Sequence, residues 1–91
     1  MKKILDLGSG LETKELKRRG IITLDISKKV KPDVVWNLNK TPLPFRTNEF
    51  NEVRAFNILE HLDNDFYEKL IEEMHRITKP TGKVIIKVPY F

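Results

Sequence analysis

The chain has no cysteine. That excludes disulfides and cysteine-ligated metal sites, and it suits a reducing cytoplasm. No apolar run approaches the ~20 residues a membrane-spanning helix needs, so no membrane association is expected. Met1-Lys2-Lys3 leads into only a few apolar residues before glycines interrupt them, which argues against a secretory signal. Internal repeats, low-complexity tracts and linkers are absent as well. No aromatic residue stands among the clustered basic ones, so a surface that stacks on nucleobases finds little support.

What is present is a soluble globular composition, 40% hydrophobic and 33% charged, in 91 residues. That length allows one small domain with one modest core. The net charge is +4, and basic residues gather at Lys14, Lys17, Arg18 and Arg19 and again at Lys28, Lys29 and Lys31. A nucleic-acid face is conceivable from such clusters. A solvated surface, of the Lys-rich kind that heat-adapted proteins carry, is the preferred reading.

Five segments read as strands: Lys3–Leu7, Ile21–Asp25, Asp33–Trp36, Glu52–Phe56 and Lys83–Val88. The first four are apolar on both alternating faces or nearly so, which predicts strands covered on both sides. In the fifth, Val84, Ile86 and Val88 share one face while Lys83, Ile85 and Lys87 share the other, which predicts an edge or face that water reaches. Phe66, Tyr67, Leu70, Ile71, Met74 and Ile77 recur at helical spacing. Asp63 or Asn64 can cap that helix, and Lys79-Pro80-Thr81-Gly82 is expected to end it and turn the chain into the fifth strand. A shorter helix fits Thr13 to Arg19, closed by Gly20. Pro42 and Pro44 exclude a regular helix between the third and fourth strands. The fold class is α/β, a Rossmann-like and mostly parallel sheet of about five strands with flanking helices.

In open α/β sheets, ligands bind beyond the carboxyl ends of the strands. "DLGSG", residues 6–10, follows the first strand, and Gly8 and Gly10 let the backbone bend close to a ligand. A dinucleotide would need a small residue where Thr13 stands, and Glu12 at the helix start would repel its pyrophosphate. S-adenosylmethionine carries a sulfonium and an ammonium and no phosphate, so Asp6, with Glu12 nearby, favours it. Asp25 ends the second strand in "TLDIS", where a carboxylate can accept from both ribose hydroxyls. That feature is shared with NAD-binding proteins, and Asp25 could also be a turn or cap residue.

"ILDLGSG", "TLDIS", "DVVWNLNKTPLPFRTNEFNEVRAFNILEHL" and "MHRITKPTGKVIIKVP" follow in order. Together they resemble the class I S-adenosylmethionine-dependent methyltransferases, most closely the type 11 branch, over essentially the whole chain. The resemblance implies strand order 3-2-1-4-5 and S-adenosyl-L-methionine as cofactor. It places Asp6, Gly8, Ser9 and Gly10 at the methionine part, Asp25 at the ribose, Ile26 beside the adenine and Asn37-Leu38 near the adenine amino group. Phe56 and Asn57 would line the methyl-transfer pocket, and Glu60 and His61 belong to the "LEH" element after it. His61 and Asn57 are the catalytic candidates, His61 being either a general base or a residue that orients the segment before the long helix. The orienting role is preferred, because methyl transfer in this family works by alignment. His75 and Trp36 read as structural, and no His, Asp and Glu spacing suggests a metal.

The chain departs from the family pattern. It lacks the third glycine of the loop, with Glu12 there instead, and Asn37 replaces the commoner acid. The expected domain, residues 1–91, starts at the first strand and stops at Tyr90-Phe91, where the family continues through two more strands. It therefore reads as a truncated methyltransferase-like unit, either a fragment or a chain that pairs with another. The fifth strand would be an apolar edge, so a homodimer or another protein partner is expected. The expected activity is methyl transfer to an unidentified acceptor. The alternatives are a catalytically silent module that binds the cofactor or a partner, and an NAD-linked oxidoreductase, the latter disfavoured by Glu12 and Thr13.

Overall fold

The computed structural model describes residues 2–56 and 64–87. The chain runs β1 (Ile4–Leu7), α1 (Thr13–Arg18), β2 (Ile22–Asp25), β3 (Val34–Val35), β4 (Phe50–Phe56), α2 (Asn64–Ile77) and β5 (Thr78–Lys87). Short 3-10 turns occupy Gly10–Glu12 and Lys28–Val30. The sheet order is β3-β2-β1-β4-β5, and every pairing is parallel. The β1–α1–β2 unit steps one way from β1, and β4–α2–β5 steps the other. Right-handed crossovers therefore put α1 and α2 on opposite faces.

Register shows what each face carries. Leu5 pairs with Ile22 and Val53, and Leu7 with Leu24 and Ala55, so these side chains share the α2 face. There they pack with Leu70, Met74 and Ile77 of α2 and with Leu43 and Phe50 in one buried cluster. Asp6 pairs with Thr23 and Arg54 on the opposite, α1 face. One residue thus separates an apolar face from a polar one in the same four-residue strand.

Several boundaries differ from the sequence reading, each for a local reason. β5 begins at Thr78, directly after α2, and the Lys79-Pro80-Thr81-Gly82 stretch lies inside it. Phe50 pairs with Thr78 and Glu52 with Lys83, so residues 79–82 form a bulge opposite Asn51. Pro80 has no N–H to give to a ladder, which is why the pairing breaks there. Gly82 lets the strands close again. A Cβ on it would come within 2.5 Å of the Asn51 carbonyl oxygen. β3 shrinks to two residues. Asp33 is held instead by Thr23, whose N and Oγ1 donate to Asp33 Oδ2 at 2.8 and 3.0 Å.

Coverage also differs from expectation. Val35 of β3 is exposed, as befits an edge, so that strand is not covered on both sides. In β5, Val84 and Ile86 point to the α2 face and yet remain exposed. The α2 stripe is narrower than its spacing suggested: Leu70, Met74 and Ile77 are fully buried while Tyr67 is exposed. The capping residues Asp63 and Asn64 fall outside what is described of side chains. α1 ends as predicted. Gly20, at φ +80°, donates to Lys17 O, and Ile21 N donates to Leu16 O at 3.0 Å, a Schellman closure.

The segment between β3 and β4 contains no helix, in keeping with its prolines. It is stapled to α2 through Glu73, whose Oε1 accepts from Leu43 N at 2.6 Å, and Arg76, which donates to Leu43 O at 3.2 Å. The Glu73–Arg76 ion pair locks both side chains and holds the Glu73 carboxyl below its ordinary range. Leu43 is thereby pressed into the core, and Phe45 meets Phe50 edge to face at 5.1 Å.

Candidate cofactor site

The glycine turn leaves β1 at its carboxyl end and folds over the end of β2. Gly8 N and Ser9 N both donate to Leu24 O, at 2.8 and 3.2 Å. Gly8 and Gly10 have φ of +71° and +53°, a left-handed conformation in which an L side chain is strained. The turn closes on itself through Thr13. Its buried hydroxyl donates to Gly10 O at 2.6 Å and lies 2.6 Å from Ser9 Oγ. Since the Thr13 proton goes to Gly10, Ser9 is the donor to Thr13. The Ser9 side chain therefore braces the loop from within, and its backbone is engaged as well, the N–H by Leu24 O and the carbonyl by Glu12 N. The sequence reads Thr13 as the start of the short helix and as too large for a dinucleotide fingerprint. In the structure it is the bolt of the loop.

Asp25 connects this loop to the next. Its Oδ2 accepts from Gly10 N at 2.7 Å, and its Oδ1 accepts from Ser27 N at 2.9 Å. Asp25 is therefore a turn residue, and that role leaves room for a ligand. Each carboxylate oxygen uses one acceptor site on protein and keeps another, enough for two ribose hydroxyls. The half-buried carboxylate is also held in place before any ligand arrives, which lowers the ordering cost of binding.

Asp6 lies beneath the loop on the α1 face and is buried. Its carboxyl is pushed up from 3.8 to about 6, chiefly by burial; Arg54 across the β1–β4 pairing pulls it down, and Glu12 pushes it further up. Arg54, whose guanidinium Glu52 also engages, does not outweigh burial. No described residue hydrogen-bonds the Asp6 carboxylate. The loop thus has a desolvated acid below it and a second carboxylate, Glu12, at its rim. Such a mouth attracts a cation and repels a phosphate.

The other predicted residues are placed less uniformly. Ile26 follows Asp25 and is 65% exposed, free to cover a flat ring. Asn37 uses its Oδ1 to accept from Asn39 N at 2.9 Å, so its amide oxygen is engaged in a local turn and its NH2 group is left over. Leu38 packs against the core rather than standing free. Phe56 closes β4 with the Lys87 ammonium 4.9 Å above its ring. Asn57, Glu60 and His61, which include both catalytic candidates, lie outside the described residues. Asn39 was not singled out in the sequence. Its Oδ1 is buried without a partner among the described residues, an orphaned acceptor next in sequence to Asn37 and Leu38. The paired asparagines of "NLN" were the available signal. Among the described residues, no three His, Asp or Glu side chains gather as metal ligands would.

Comparison with known proteins agrees with this fold. The profile of a family described as a methyltransferase domain, type 11, matches residues 5–86. A crystal structure of a Pyrococcus horikoshii protein superposes with TM-score 0.74 at 24% identity, over 93% of this chain and 48% of that one. An S-adenosylmethionine-dependent methyltransferase of Mesorhizobium loti superposes with TM-score 0.72 at 20% identity, over 93% of this chain and 45% of that one. An uncharacterized protein of Methanocaldococcus jannaschii is 44% identical over 46 residues, which is 50% of this chain and 19% of that protein. The chain therefore spans about half the length of these solved structures and less of the curated relative.

Proposed function

Because the chain belongs to the methyltransferase-domain family, whose cofactor is S-adenosylmethionine, we propose that it binds this cofactor at the carboxyl ends of β1 and β2 and transfers its methyl group to an acceptor. The observation that carries the proposal is the buried Asp6 carboxyl with Glu12 beside it, under a glycine loop pinned by Asp25. A cationic nucleoside fits that donor set. The remaining acceptor sites of Asp25 would hold the ribose, Ile26 would cover the adenine, and Asp6 would supply negative charge beneath the methionine part. The orphaned Asn39 oxygen supplies an unmet acceptor on the adenine side, suited to an exocyclic amine.

When bound, the cofactor supplies an electrophilic methyl on a sulfonium, with the sulfur as leaving group. The protein's share is alignment. A loop braced by Thr13 and Asp25 before binding keeps the reacting atoms within the narrow range of geometry that displacement requires. The acceptor loses a proton as it gains the methyl, and His61 and Asn57 remain the candidates for handling or orienting that step. The acceptor itself is unidentified.

Calorimetric titration tests the reading. S-adenosylmethionine and S-adenosylhomocysteine should bind and NAD should not; tight NAD binding would overturn it. A second reading, a silent module that binds cofactor or partner, is favoured by the engagement of Ser9 and Asn37 in internal bonds. Cofactor binding with no turnover on any acceptor would select it. Self-association belongs to the same proposal. β5 is the sheet edge among the described strands and exposes Val84 and Ile86, a surface a two-fold dimer would cover. Sedimentation across a concentration series should show mass increasing, and a monomer at high concentration would contradict it. A cytoplasmic location is proposed on the lack of cysteine; no helix among the described residues is long and apolar enough to cross a membrane.

A further inference from the structure

The chain's entire net positive charge belongs to one stretch. Residues 10–31 hold seven basic and three acidic side chains, and the rest of the chain is balanced at ten of each. Sequence order splits the seven into two clusters, but the fold joins them. Lys14 and Lys17 from α1 face Lys29 and Lys31 from the turn after β2 across a cleft of about 490 Å³, with Leu11 and Val30 in its lining. Lys17 Nζ donates to Lys31 O at 3.1 Å and ties the two walls together. All four lysines are exposed.

The acids of this stretch leave that charge largely unopposed. Glu15 is engaged by Arg18 at 3.1 Å, and Asp25 by the amides of Gly10 and Ser27. Glu12 alone is left, at the rim of the glycine loop. Four ammonium groups around one concavity repel one another and create a field that gathers anions. Gly10 belongs both to the cleft and to the loop held by Asp25. Whatever occupies the cleft therefore sits next to the cofactor loop.

We propose that this cleft holds the phosphate backbone of a single-stranded nucleic acid, which makes nucleic acid the class of methyl acceptor; this rests on the methyl-transfer reading above. α1 is only six residues, ~9 Å long, so the cleft spans a few nucleotides of one strand and not both strands of a duplex. The lysine stems, Leu11 and Val30 give the sugars apolar contact, and the ammonium groups meet the phosphates. Among the described residues no aromatic lines the cleft, so bases are not gripped and binding is indifferent to sequence.

The test uses fluorescence anisotropy of a labelled oligouridylate and a labelled oligoadenylate with the full chain over a salt series. Four phosphate contacts on a single strand give a slope of log affinity against log salt of about −2.8. The double variant Lys14→Ala/Lys29→Ala should weaken binding of both oligonucleotides alike and bring the slope to about −1.4. Lys2→Ala/Lys79→Ala, equal in charge change but outside the cleft, should leave the slope unchanged. S-adenosylhomocysteine affinity, read by calorimetry, should be the same in all three proteins. Equal losses in the two double variants would overturn the cleft, as would cofactor binding without oligonucleotide binding, or tighter binding to phosphatidylserine vesicles than to the oligonucleotides. Oligonucleotide binding through the cleft without any cofactor binding would overturn the methyl-transfer reading and leave the cleft standing.

Discussion

The two faces of this sheet are built from different materials. The α2 face carries the buried cluster, with Leu5, Leu7 and Leu24 from β1 and β2 joining Phe50, Val53, Ala55, Leu70, Met74 and Ile77. The α1 face of β1–α1–β2 buries Asp6, Thr13 and Thr23, and the ends of its strands gather Asp25 and Asp33 into hydrogen bonds. The first face lowers free energy by removing apolar surface from water. The second holds a desolvated acid that nothing in the described chain satisfies. Stability and ligand chemistry are therefore carried by different faces of one small domain, and substitutions should separate them.

The largest effect is expected on the apolar face. Leu70→Ala removes a fully buried side chain and should cost ~2–5 kcal/mol of stability in denaturant titrations, through lost transfer energy and a cavity. Cofactor affinity of the fraction that stays folded should be unchanged. Asp6→Asn should do the reverse. The folded-state carboxyl titrates near 6 against 3.8 ordinarily, so the folded protein holds its proton more tightly than the unfolded chain. Stability contributed by this group therefore falls as pH rises from about 4 through 6, and the deficit above that is up to ~3 kcal/mol. The asparagine variant should be more stable than the parent by up to that amount at pH 7 and no more stable below pH 4, while binding the cofactor more weakly. Thermal melts across pH check the first part and calorimetry the second.

Asp25→Ala should weaken cofactor binding by ~1.5–3 kcal/mol, as expected for bonds to a charged group. It should also loosen the loop, because Gly10 N loses its acceptor. Calorimetry showing unchanged affinity would remove Asp25 from the site. The smallest effect is expected for Gly10→Ala. No atom of the described residues lies within 4 Å of where its Cβ would be, so the left-handed φ of +53° is what opposes it, at ~1 kcal/mol in a denaturant titration.

How much of this was legible in the sequence follows the same division. Hydrophobic patterning gave the strands and the long helix, because burial writes itself into periodicity, while the strand order came only from the resemblance to the methyltransferase family. The start of β5 was hidden, since Pro80-Thr81-Gly82 reads as a turn and becomes a bulge only when Asn51 lies opposite it. β3 was overestimated because the Asp33–Thr23 bonds depend on a neighbouring strand. At the proposed site, position in the sequence was enough to nominate Asp6, Gly10 and Asp25, but it does not give the direction of a hydroxyl. Ser9 turns inward to Thr13, and Asn37 to Asn39 N, because local hydrogen bonds decide where short polar side chains point.

The central claim is that the polar face is a site for a cationic nucleoside whose charge ionises Asp6. The most direct measurement is calorimetry of S-adenosylmethionine binding near pH 6 in two buffers of different ionisation enthalpy. With the carboxyl titrating at about 6 in the free protein, binding should release up to about half a proton per site. That release should vanish in Asp6→Asn. Binding with no proton release in the parent protein, or with the same release in the variant, would contradict the account.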